Sequence, residues 1–176
     1  TVGASSSAAA LEAVVRAGIV SPVPPTAVNP LAPARFWDTR NEPTVDTQLS
    51  NTGRVQAGVT STVKVTGRGG VPAGAKAVVA NLVAINPGTA GFATMFPCTG
   101  SVPVASHLNY AAGSVLANSA IVPLSAAGEL CVFTSSAADF ALDISGYASA
   151  NSRLASVTPA RYLDTRAENG SDTFDR

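Results

Sequence analysis

The sequence predicts an all-β protein: an antiparallel β-sandwich, jelly-roll or immunoglobulin-like, preceded by an N-terminal helix and a proline-rich arm. Three observations carry this reading. From Phe36 onward, short β-type segments are separated by turn residues at intervals of about ten. One of them, "TSTVKVTG" (Thr60 to Gly67), alternates cleanly, with Val63 and Val65 inward and Thr62, Lys64 and Thr66 outward. Helical periodicity is absent after residue 20, so no strand-helix-strand crossover is available.

Taken in order, residues 1–20 form the helix. Ser5, Ser6 or Ser7 can cap it, Leu11, Val14, Val15 and Ile19 share one face, and Gly18 suits its C-terminal end. It is too short and too apolar on that face to stand alone and must pack on the following domain, a neighbouring copy or another part of a longer protein. Residues 21–32 are a linker: "SPVPPTAVNPLAP" holds five prolines in thirteen residues and favours an extended conformation. The sandwich spans 33–150. After Thr60 to Gly67 its strands are read in "AKAVVANLVAIN", "GFATMFPC", "ASHLNYAAG", "VLANSAIVPLS", "GELCVFTSS" and "ADFALDISGYA", giving seven or eight in all.

Residues 151–176 are a linker and the opening strand of a second, incomplete repeat. "PARFWDTR" at Pro33 to Arg40 returns as "PARYLDTR" at Pro159 to Arg166, and a slide of 126 positions gives 9 identities in 15, including Asp46 with Asp172. In the first copy Asp38 and Arg40 alternate along an extended segment and share a face. Asp143 interrupts the apolar run "FALDISGYA", where an unpaired carboxylate is costly. Arg35 or Arg40 is therefore expected to pair with Asp143, stapling the first strand to the last; a ligand or catalytic site at Asp38, Arg40 and Asp143 is the alternative. An opening strand without its own sheet leaves unpaired backbone groups, so Arg161, Asp164 and Arg166 mark an assembly strand or the boundary of a longer array.

Composition limits the function. Charged residues are 12% of the chain, eleven of each sign, so no basic stripe can track nucleic acid. The apolar runs are too short for a membrane-spanning helix. Cys98 and Cys131, 33 residues apart, lack the further ligands a metal needs, and the single histidine, His107, cannot complete a set. A disulfide is preferred over two buried thiols; it would contribute about 3 to 4 kcal/mol and argues for export. No signal peptide stands at the start, and the chain begins without methionine, as a mature or trimmed form would.

The motifs "PARFWDTR", "GRGGVPAGAKAVVANLVAINPGTAGFATMFPC" and "SHLNYAAGSVLANSAIVPLSAAGELCVFTSSAADFALDISGYA", followed by the second octet, resemble the tandem modules near the ends of many secreted and cell-surface proteins of actinobacteria. Those modules open on a "RLLDTR"-like strand and close on a "VDVSGYF"-like strand. The resemblance covers Pro33 to Tyr147. It implies an extracellular all-β module that accompanies other activities and has no agreed chemistry of its own. "ALDISGYA" lacks the final aromatic, and Trp37 replaces the usual aliphatic residue.

Other constellations carry less. Asn81, Asn109 and Asn118 recur in apolar strands and, if buried, must satisfy backbone groups. A sugar-binding row along these asparagines is the alternative, and Trp37, Tyr110 and Tyr147, with Asn109 beside them, could stack on a sugar ring, but scattered aromatics are more often core. His107 beside Ser106 reads as a solvent-facing polar residue, since no "GxSxG" elbow occurs. Glu12, Glu42, Glu129 and Glu168 mark no cleft for glycoside hydrolysis, and no clustered-oxygen calcium loop is present. The expectation is a non-enzymatic extracellular module of a surface array or filament, without cofactor or metal. It would self-associate through terminal arms or strands, its partners being further copies or adjacent repeats. A carbohydrate-binding adhesion module directed at cell-wall glycan, or a phage tail or decoration protein, is the alternative.

Overall fold

A computed structural model describes residues 27–155 and 157. The expected helix over 1–20, most of the arm, and the second octet with Arg161, Asp164 and Arg166 lie outside the described residues. Within them the chain is all-β, with no helix: β1 (Asn29–Asp38), β2 (Thr60–Lys64), β3 (Ala77–Ile85), β4 (Gly91–Pro97), β5 (Leu108–Tyr110), β6 (Val115–Pro123), β7 (Glu129–Thr134) and β8 (Asp139–Ala148). They form two four-stranded antiparallel sheets, ordered β1-β8-β3-β6 and β2-β7-β4-β5.

The sheets face each other across one core. Phe36, Val78, Leu82, Phe140, Leu142 and Ile144 come from the first sheet, and Val63, Met95, Leu130 and Val132 from the second. Each is at most 1% exposed, so the alternation of these strands is converted into a dry interior. Val63 and Val65 both point inward, at 0% exposure. Strands pair across the sequence as first with eighth, second with seventh, third with sixth and fourth with fifth.

The opening strand begins at Asn29, four residues inside the expected linker. Pro30 and Pro33 are tolerated because β1 is an edge with a neighbour on one side only. Register shifts between Pro30 and Ala34 and between Arg35 and Trp37 interrupt its pairing with β8. The second shift leaves Phe36 as the extra residue of a bulge. Two consecutive aromatics, Phe36 and Trp37, can then both be buried, with Trp37 stacked on Phe140 at 5.9 Å between ring centroids.

Candidate functional site

The bulge also sets the charge geometry. By skipping one position it brings Arg35 and Asp38, three apart, together beside β8. Arg35 donates from Nε to Asp143 Oδ1 at 2.9 Å, from Nη2 to Asp143 Oδ2 at 3.3 Å, and from Nη1 to Asp38 Oδ2 at 2.7 Å. Arg40 does not reach Asp143; it closes on Asp38, with Nη2 2.9 Å from Oδ2 and Nε 3.1 Å from Oδ1, while its backbone N–H donates to Oδ1 at 2.9 Å. Asp38 is fully buried, whereas Arg35, Arg40 and Asp143 keep partial solvent contact.

Burial pushes the Asp38 carboxyl up, but the side-chain and backbone hydrogen bonds of Arg40, with the charges of Arg40 and Arg35, outweigh it and hold Asp38 below the ordinary carboxylate range. The hydrogen bond to Asp143 raises the Arg35 guanidinium above its usual value. Two arginines on one buried carboxylate make a clamp in which both Asp38 oxygens are hydrogen-bonded.

A second anchor was not singled out in the sequence. Arg68, 6% exposed, donates to both oxygens of Asp46 at 2.7 Å, to the carbonyls of Lys64 and Phe36 at 2.6 and 2.9 Å, and lies over the Phe36 ring at 5.2 Å. It pins the connection after β1, where Thr47, Leu49 and Asn51 all adopt left-handed backbone conformations. The available signal was Asp46, which lies inside the repeated segment, and an isolated arginine among the glycines of "GRGG".

Trp37 is 3% exposed and its Nε1 donates to Thr52 Oγ1 at 2.8 Å. Tyr110 is 5% exposed, its hydroxyl 2.5 Å from Thr134 Oγ1. Neither ring presents a face to a sugar; both belong to the core, and Asn109 lies on the exposed side of β5, the opposite face from Tyr110. His107 is half-buried rather than solvent-facing: its Nδ1 accepts the Met95 N–H at 3.2 Å, and burial lowers its pKa. Asn118 donates from Nδ2 to the His107 carbonyl at 2.5 Å and accepts the Ser119 N–H at 3.0 Å; Asn81 accepts from the Ser119 hydroxyl at 2.9 Å.

Cys98 and Cys131 form a disulfide, with Cα atoms 5.0 Å apart, tying the end of β4 to β7. Among the described residues no group of three or more His, Cys, Asp or Glu could hold a metal ion, and no helix is long and apolar enough to cross a membrane.

The sheet edges differ. β1 carries two bulges, two prolines and the clamp charges; β2 has five residues and Lys64; β5 has three residues. β6 has nine residues, pairs with β3 without a register shift, and carries no charge. Val115, Leu116 and Ile121 on it are 68%, 44% and 49% exposed. No protein-family model matches this chain, and none of the curated proteins does.

Proposed function

We propose that this chain is a non-enzymatic structural module of an extracellular surface array, working by self-association. The observation that carries the reading is the β6 edge, which among the described residues is long, uncharged and in unbroken register, with exposed Val115, Leu116 and Ile121 and a single proline, Pro123, at its end. In the same reading the second octet, with Arg161, Asp164 and Arg166, is a further assembly strand at the chain's other end. The disulfide supports an oxidising, extracellular setting. The pairing of first with last strand and inward from there is the strand order of a jelly roll, a fold that often serves as a building block of larger assemblies. The resemblance to tandem surface modules points the same way.

Light scattering after size exclusion, across a concentration series of the full chain, tests the proposal. Species larger than the 17.6 kDa monomer, growing with concentration, are expected. A monodisperse monomer throughout would reject it.

A further inference from the structure

Resting on the assembly reading, we infer that the partner of the β6 edge is the β6 edge of a second copy, joined antiparallel about a two-fold axis at Asn118. The ladder fixes which groups are offered. Leu124 donates to the Lys76 carbonyl at one end of β6 and Asn86 to the Ser114 carbonyl at the other, both at 2.8 Å, with unbroken register between. Even-numbered residues of β6 therefore exchange bonds with β3. The N–H and C=O groups of Val115, Ala117, Ser119 and Ile121 point away from the sheet. The outward Ser119 N–H is taken by the side chain of Asn118, so that amide must turn aside for the Ser119–Ala117 bonds across the axis to form.

A two-fold axis at Asn118 places residue i opposite residue 236 − i, so outward groups meet outward groups. Val115 then faces Ile121 of the partner, and Ile121 faces Val115, on the face away from the core. These are the two most exposed large apolar side chains of the strand, one on each side of the axis. Axes at Ala117 or Ser119 keep the hydrogen-bond parity but set Val115 or Ile121 against a serine or an alanine. β6 has no charged side chain, so no register of the pair brings like charges together. The product is a continuous eight-stranded sheet with an isologous interface.

At the axis, residue 118 meets its own copy in a non-hydrogen-bonded pair with Cα atoms about 4.5 Å apart, within disulfide reach. Asn118→Cys in the full chain should give a covalent dimer on mild oxidation. Val115→Cys alone should not, but mixed with Ile121→Cys it should give a heterodimer. Because Asn118→Cys removes the bond to the His107 carbonyl, Ala117→Lys provides a second test, expected to weaken dimerisation at least tenfold. Three results would overturn the inference while leaving the assembly reading intact, all in a chain that still associates: an Asn118→Cys that folds but does not cross-link, an Ala117→Lys without effect, or loss of association on removing residues 158–176. A chain that never associates removes both.

Discussion

Arg35 grips Asp143 with two nitrogens, at 2.9 and 3.3 Å, across the seam where the first strand of the domain lies against the last. The partners are 108 residues apart, and the same guanidinium holds Asp38 from its remaining side. A planar fork with three donors in fixed directions is what this arrangement uses, and an ammonium cannot copy it.

Arg35→Lys and Asp143→Asn should each lower stability by about 1 to 2 kcal/mol in urea unfolding, the worth of charged hydrogen bonds reduced by partial solvent contact. The double variant should lose less than the sum. Independent, additive losses would show that the two groups act without each other.

Asp38 gives the clamp a pH dependence. Its folded pKa lies below the ordinary carboxylate value, so the folded state binds this proton less readily than the unfolded chain. The contribution is present above about pH 4 and is lost as pH falls through the folded pKa. Thermal melts between pH 2 and 6 should show an acid limb that Asp38→Asn flattens, at a cost of about 2 kcal/mol at neutral pH. An unchanged acid limb would contradict the assignment.

His107 acts in a different window. Its folded pKa is depressed by burial, and protonating Nδ1 would put a donor against the Met95 N–H. The unfolded chain takes the proton first, so stability should begin to fall as pH drops through about 6.5 and continue to fall until the folded pKa is passed. His107→Asn retains an acceptor without titrating and should remove this step. A nuclear magnetic resonance titration with the ring protonating at or above its ordinary value would refute it.

Reducing the Cys98–Cys131 disulfide opens a 33-residue separation. Loop-closure entropy predicts a loss of roughly 3 to 4 kcal/mol, visible as a lowered unfolding midpoint in dithiothreitol and reproduced by Cys98→Ala with Cys131→Ala. Equal midpoints in oxidised and reduced protein would show that the unfolded ensemble is not what the bond restricts.

Much of this architecture was legible in the sequence, because period-two alternation and turn residues are local signals. The strand around Val63 announces itself by alternation, and those around Leu82, Leu130 and Ile144 by short apolar runs bounded by turn residues. Asp143 was legible as a charge out of place. What was not legible depended on a single irregularity: the bulge at Phe36 decides that Arg35, and not Arg40, meets Asp143, and nothing in eight letters announces a skipped register. Arg68 was missed because its partners come from distant segments, and Trp37 and Tyr110 show their burial only once both sheets are in place. The beginning of β1 was placed late because prolines that signal a linker are equally at home on an edge.

The seam between β1 and β8 also has a consequence in time. Synthesis delivers residues at about 5 to 20 per second, so after Arg35 appears its partner Asp143, 108 positions later, follows only some 5 to 20 s afterwards. Until then the leading strand has no neighbour in its sheet. Maturation of this domain therefore waits for the strand that closes it.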